Sequence, residues 1–488
     1  MALTLENRDA DLYVQRSVVN QLAGNAAEAI ADYTWAIGVD SLRGQLYVDR
    51  GILYHKQQNL AEAIADFSRA VRVSPEIAAG WFQRGMCRIE QGDIEKAASD
   101  FQQARQYGLD ADSWQQVVTI ASGHFNTGKS HAGAGDCDAA VQSFTHALTL
   151  LPEFADAWYA RGECLEKKKD LIAANSDFTR VVAIDSTYYM AYFHKGSNLY
   201  ALGEYASASG ELEKAAKAQP AYHPSWLALG DAYRMQQLYP DALKAYSEVI
   251  KIKDNLPEGH FWAGRMEAEM GNYAKSIEHY SMAIRLNSNY GDAFYFRGLA
   301  YNTLPDDRRA IADFSTAIKE KPQYAEALYE RGKLYYKNSN FAGAEADFTQ
   351  AMQSGSNQKD LYYQRGKARE ALKQYASALE DYQKNESITE IDHDRYNRMG
   401  YMCLWLGKWE EGRSYFEKVL LAQSQNVQAA YGMGSTFAGE NQTEKAVRWL
   451  TQAYQSGTFY AKELKTHTWL KPLKKNAEYK AIAKKYLK

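Results

Sequence analysis

Small, aromatic and apolar residues recur along this chain at a fixed interval of 34. Gly51, Gly85, Gly128, Gly162, Gly196 and Gly230 open the series, and Gly264, Gly298, Gly332, Gly366, Gly400 and Gly434 continue it. Ser17 holds the matching place in a weaker first unit, and only the Gly85–Gly128 step departs from the interval. With that glycine as position 8, position 20 is Ala in eleven units, Ser276 and Gly412 being the exceptions. Position 24 is large and apolar throughout, from Tyr33, Phe67 and Phe101 to Phe416 and Leu450. Position 27 is usually Ala or Val, with Asn385 out of line. Thirteen units follow: three within residues 1–111 and ten within 121–460, separated by an insert at 112–120 that would serve as a hinge between them, with a tail at 461–488. Such self-similarity predicts an array of like modules, each covering its neighbour's apolar face.

The order Trp/Tyr-x-x-x-Gly-x-x-Tyr, then Ala, Phe and Ala, resembles the tetratricopeptide repeat over roughly nine-tenths of the chain. That resemblance implies an all-α, right-handed superhelical α-solenoid of antiparallel helix pairs, A and B, with C-terminal capping helices. Gly at 8 and Ala at 20 would let A and B approach closely. The ring at 24 and the residue at 4 (Tyr47, Trp81, Trp158, Trp226) would fill the space beside that contact. Composition agrees: only 9 prolines and as many as 36 tyrosines suit a helical chain with a large aromatic core. Pro75, Pro152, Pro220 and Pro322 fall at position 32, and the others in first turns, a turn or the tail. None interrupts a helix interior, where it would cost about 3 kcal/mol.

Positions 7 and 23 change together. Arg16/Asp32, Arg50/Asp66, Arg84/Asp100, Arg161/Asp177, Lys195/Glu211, Arg297/Asp313, Arg331/Asp347 and Arg365/Asp381 pair a base with an acid, and the other five units lack both. Joint gain and loss predicts eight half-exposed ion pairs between helices A and B, worth about 0–1 kcal/mol each.

In the family, helix A lines a concave wall through positions 2, 5, 9, 12 and 13. Position 5 is aromatic in nine units here; in the second half of the chain position 2 is acidic in five successive units, Glu258, Asp292, Glu326, Asp360 and Asp394, and position 9 is basic in Arg265, Lys333 and Lys367. Phe261, Arg265, Tyr295, Tyr329, Lys333, Tyr336, Tyr363 and Lys367, with Glu326 and Asp360, are therefore the candidate contacts for a partner. Exposed aromatics and cations are favoured interface anchors. Two plainer roles compete: rings packing on their neighbours, and acids complementing the helix dipole. The function expected is a non-catalytic protein–protein interaction scaffold holding a peptide or partner protein, centred on repeats 8–11. The family's carboxylate clamp for chaperone tails needs Lys at 5 and Asn at 9, which no unit has, and no His-Pro-Asp tripeptide is present.

Two other readings compete. Gly123-His-Phe-Asn-Thr-Gly128-Lys129-Ser130 matches the phosphate-cradling G-x-x-x-x-G-K-[ST], which would make a nucleotide-dependent switch. The string lies inside the repeats, without room for the sheet that such a loop needs. The tail carries nine lysines against Glu463 and Glu478, +7 where the whole chain is −3, and could bind nucleic acid or anionic lipid. A solvated cap built on Tyr460, Leu464, Trp469, Leu470, Leu473, Tyr479, Ile482 and Tyr486 is the expected role. His124, His131 and Cys137 are too few to hold a metal, no cofactor is expected, and scattered cysteines exclude a disulfide framework. Neither a signal peptide nor an apolar run of about 18 residues occurs, so a cytoplasmic location is expected, or a periplasmic one if a signal was trimmed.

Overall fold

A computed structural model describes residues 9–386, 392–456 and 467–486. Among them there is no strand: all thirteen repeats are pairs of α-helices, followed by a 3-10 helix and one more α-helix. The chain is an all-α solenoid. It divides into two compact units, Met1–Leu238 and Tyr239–Lys488, between the two helices of repeat 7.

The hairpin turn has its own register. At position 15 the backbone is left-handed at Gly24, Gly92, Gly135, Gly203, Gly271 and Gly407, and also at Gln58, Lys169, Gln237, Ser339, Lys373 and Asn441. Repeat 9 alone has Pro305 there, whose ring forbids that conformation. The next residue often caps helix B: the carboxylates of Asp93, Asp136, Asp170 and Asp306 each accept an amide N–H of the first turn.

Within a hairpin the position-24 side chain sits directly over the position-8 glycine, not beside it. A methyl group on Gly51, Gly85, Gly128, Gly162, Gly264, Gly298, Gly332, Gly366 or Gly400 would come 2.5–2.9 Å from that ring, and Gly196 and Gly434 meet Leu212 and Leu450 in the same way. Glycine is required because the ring occupies the volume of a Cβ. Ser17, the substitute in repeat 1, is buried and donates its hydroxyl to the Ala29 carbonyl.

All eight expected ion pairs form: Arg16 bonds Asp32, and the other seven close at 2.7–3.4 Å. They are more buried than half-exposed, the seven aspartate side chains being 1–9% exposed. Most arginines use Nε and Nη2 as a fork on both carboxylate oxygens, as Arg331 does on Asp347 at 2.8 Å each. The remaining nitrogen reaches the preceding repeat. Nη1 of Arg50, Arg84, Arg161, Arg297, Arg331 and Arg365 donates to the hydroxyls of Thr34, Ser68, Thr145, Ser281, Ser315 and Thr349, all at position 25. A second latch joins position 4 to the proline before it: the indoles of Trp81, Trp158 and Trp226 donate to the carbonyls of Pro75, Pro152 and Pro220 at 2.8–3.0 Å.

The insert continues a helix: Ala111–Gly133 is unbroken over 23 residues. Its first third lays Trp114, Val117 and Ile120 on the core of repeat 3. Asn385, out of line at position 27, is buried, accepts from the buried Arg395 at 2.5 Å and donates to the Lys359 carbonyl at 2.8 Å. At the C-terminal end Thr468–Lys475 and Ala477–Tyr486 place Trp469, Leu470, Leu473 and Tyr479 in one core with repeats 11–13. Tyr460 and Leu464, expected in that cap, lie outside the described residues. No described helix is long and apolar enough to cross a membrane.

Candidate functional site

Helix A of repeats 8, 9, 10 and 11 is Pro257–Glu269, Gly291–Thr303, Ala325–Lys337 and Leu361–Ala371. All belong to the second unit. The first helices of repeats 8 and 9 touch, as do those of repeats 10 and 11, and the four follow one another as a row. Positions 5 and 9 stand one turn apart on that row and share a face.

Much of the aromatic row packs. Phe261 is 5% exposed among Tyr280, Tyr290 and Phe296, and Tyr329 is 6% exposed against Phe348. Both back the face rather than line it. Tyr295 on Phe314 and Tyr324, and Tyr363 on Tyr382, are half-buried and keep an open edge. Burial, with Glu330 and Glu326 nearby, pushes the Tyr295 hydroxyl up to about 12.

The cations sit against rings. Arg265 lies 3.9 Å from the Phe296 centroid and 3.4 Å from Glu269. Lys333 is 4.8 Å from the Tyr329 centroid and pairs with Glu330 at 2.9 Å. Lys367 stands between two repeats, 4.8 Å from the Tyr336 ring and 5.5 Å from that of Tyr363, and among the described residues its one hydrogen bond goes to the Gln364 side-chain carbonyl at 3.3 Å. Burial, then the nearby Arg398, hold Lys367 below the ordinary lysine range. Asp394, Asp360 and Glu370 favour its charge from a distance, but among the described residues none forms an ion pair with it.

The acids do more than complement a dipole. Asp360 makes no capping bond to its own helix. Its carboxylate receives the Tyr329 hydroxyl, from repeat 10, and the Gln364 amide. Asp394 receives the Tyr363 hydroxyl at 2.7 Å. Glu326 is exposed and receives nothing from Tyr295, and Asp292 pairs with Lys321 instead.

Sequence reasoning missed Glu370 and Arg398. Arg398 Nε bonds Asp394 at 2.7 Å and its Nη1 bonds Glu370 at 3.0 Å, while the Tyr382 hydroxyl donates to the same Glu370 oxygen at 2.6 Å. Burial opposes the charge of Asp394, but the Tyr363 hydroxyl and Arg398 outweigh it and hold its carboxyl below the usual range. A signal existed: tyrosine at 382 where most units have Phe, and Asp394 four residues before Arg398.

The phosphate-cradle string lies within the helix Ala111–Gly133, where its amides serve the helix, and Lys129 rests 5.3 Å from the Phe125 centroid. A loop able to wrap phosphate is absent there, so the nucleotide-switch reading loses its structural basis. Among the described residues no three His, Cys, Asp or Glu side chains converge as metal ligands would.

Tetratricopeptide-repeat family models match residues 23–112, 125–188, 193–257 and 306–359, and a further one matches 264–304, together more than half of the sequence. The chain belongs to the tetratricopeptide repeat family. Among solved structures it is similar to YrrB, described as a TPR protein with an unusual peptide-binding site, at 22% identity over 39% of this chain and 99% of that one (TM-score 0.37). A tetratricopeptide repeat protein from Parabacteroides merdae is 19% identical over 54% of this chain and 98% of its own (TM-score 0.36). MamA from Desulfovibrio magneticus is 20% identical over 35% and 96% (TM-score 0.33). No curated protein sequence matches. Tetratricopeptide repeats serve as scaffolds for protein–protein interaction, and this array is one of that kind.

Proposed function

We propose that the tetratricopeptide array binds an extended segment of a partner protein along the helix-A face of repeats 8–11. The observation that carries this reading is Lys367, a part-buried cation held between Tyr336 and Tyr363 of adjacent repeats. Lys333, over the Tyr329 ring of its own helix one module earlier, and Arg265, over Phe296 of the next repeat, each rest on a single ring, and Tyr295 and Glu326 continue the face. A cation without a paired carboxylate, as Lys367 is among the described residues, suits a main-chain carbonyl or a carboxylate of the partner, and tyrosine edges suit side chains alternating along an extended strand. Tyr329 and Asp360 hold the face in shape.

The test is recovery of partners from the native organism on immobilised wild-type chain and on Lys333→Ala/Tyr336→Ala/Tyr363→Ala/Lys367→Ala. Circular dichroism first establishes that the variant is folded. Loss of a specific partner from the variant is expected. Equal recovery on both removes the site.

A further inference from the structure

We propose that the C-terminal end of the second unit carries another peptide site, separate from the helix-A face of repeats 8–11, for a short acidic segment with an apolar anchor. Trp405, Gly407, Trp409, Gly439, Trp469 and Pro472 surround a cleft of about 400 Å³.

The cleft is built by close approach. Helix A of repeat 12, His393–Leu406, ends at Gly407, whose left-handed backbone (φ 71°) turns the chain so that Trp409 opens helix B. Any Cβ on Gly439 would fall 2.7 Å from Trp409 ring atoms, so that ring reaches its place only because residue 439 is glycine. Trp405 lies flat on Tyr375 (centroids 5.1 Å apart, 8° between planes) and meets Trp469 of the cap nearly at right angles, 4.7 Å away. It nonetheless remains 43% exposed. One face of Trp405 is covered and an edge meets the other tryptophan, so the cleft offers walls for an inserted side chain rather than a bare ring for a nucleobase.

Two further observations point to a ligand. Trp81, Trp158 and Trp226 spend their indole N–H groups on proline carbonyls, whereas that of Trp469, in the cleft wall, is buried and meets no acceptor among the described residues. A peptide carbonyl would supply one. Charge indicates the flanks. Glu411 and Glu440 are taken up by Lys408 and Arg413, while Lys471, Lys474 and Lys475, on the 3-10 helix that brings Thr468, Trp469 and Pro472 to the cleft, stand exposed with no carboxylate partner among the described residues. An aromatic or aliphatic anchor between acidic residues is complementary to both features.

The experiment is fluorescence anisotropy of the full chain with a labelled peptide of about twelve residues, Leu-Pro-Phe flanked by aspartates and glutamates. Controls are a lysine-flanked peptide, a peptide with a Gly-Ser centre, and labelled oligouridine. Saturable binding of the acidic peptide is expected, weakened about tenfold or more by Trp405→Ala and by K471E/K474E/K475E. Lys333→Ala/Lys367→Ala should leave it unchanged, which separates this site from the helix-A face. Circular dichroism first establishes that K471E/K474E/K475E, which alters only exposed side chains, is folded. Absence of binding, equal binding by the Gly-Ser control, preference for oligouridine, or self-association of the chain that Trp405→Ala abolishes would each overturn the proposal.

Discussion

The Tyr329 hydroxyl lies 2.8 and 2.9 Å from the two carboxylate oxygens of Asp360, one repeat further along the chain. Burial, then that carboxylate, push the hydroxyl well above the ordinary tyrosine range, so it remains a donor. Tyr329→Phe should destabilise repeats 10 and 11 by about 1.5–3 kcal/mol, as expected for a hydrogen bond to a charged acceptor. Tyr295→Phe, whose hydroxyl makes no such bond to Glu326, should cost much less. Hydrogen exchange resolved by repeat is the suitable measurement, because repeat arrays open locally.

Arg331, Asp347 and Ser315 form a unit that joins two repeats. Arg331→Leu leaves a nearly buried carboxylate without its partner and should cost about 3 kcal/mol. Arg331→Leu/Asp347→Leu should cost less than the single change, and Ser315→Ala only about 1 kcal/mol. Denaturant midpoints of the four proteins make the comparison, and a double variant worse than the single one would contradict it.

Glycine substitutions should split by environment. Gly298→Ala drives a methyl to 2.7 Å from the Phe314 ring, and overpacking should outweigh the gain in helix propensity for a net loss of about 1–2 kcal/mol. Gly123→Ala, inside Ala111–Gly133 with nothing within 4 Å of the new methyl, should stabilise by about 1 kcal/mol. Thermal melts of both variants give the signs directly.

Two repeats without the Arg/Asp pair carry histidine pairs across their helices. His260 Nδ1 and His279 Nδ1 are 3.3 Å apart in repeat 8, and the rings of His124 and His146 meet 5.4 Å apart in repeat 4. Burial lowers His124, His260 and His279 below their ordinary value of 6.5. The unfolded chain then binds protons first as pH falls. Stability from these groups is complete above about 6.5 and is lost as pH drops through their lowered folded values. Exchange in repeats 4 and 8 should therefore accelerate between pH 7 and 5 relative to repeats 9 and 10, and His260→Gln/His279→Gln should flatten the response in repeat 8.

Calorimetry with ATP and magnesium should show no binding, because Gly123–Ser130 is helix and its amides are already used. Heat of binding that Lys129→Ala abolishes would refute this.

The sequence by itself determined the repeat. Gly298 and Phe314, or Arg331 and Asp347, are 16 residues apart in one hairpin, and every unit solves the same packing problem with the same positions. Periodic local contacts leave a periodic trace in the residues that make them, which is why the A–B ion pairs could be read from joint gain and loss alone. What joins one repeat to the next was decided only in three dimensions: the hydroxyls at position 25 under the next arginine, Tyr329 on Asp360, and Arg398 between Glu370 and Asp394. Burial of Phe261 and Tyr329, and the openness of Tyr363, likewise depend on how each hairpin is rotated against its neighbour. That rotation is set by the summed shape of two packed surfaces, to which no single position in the repeat corresponds.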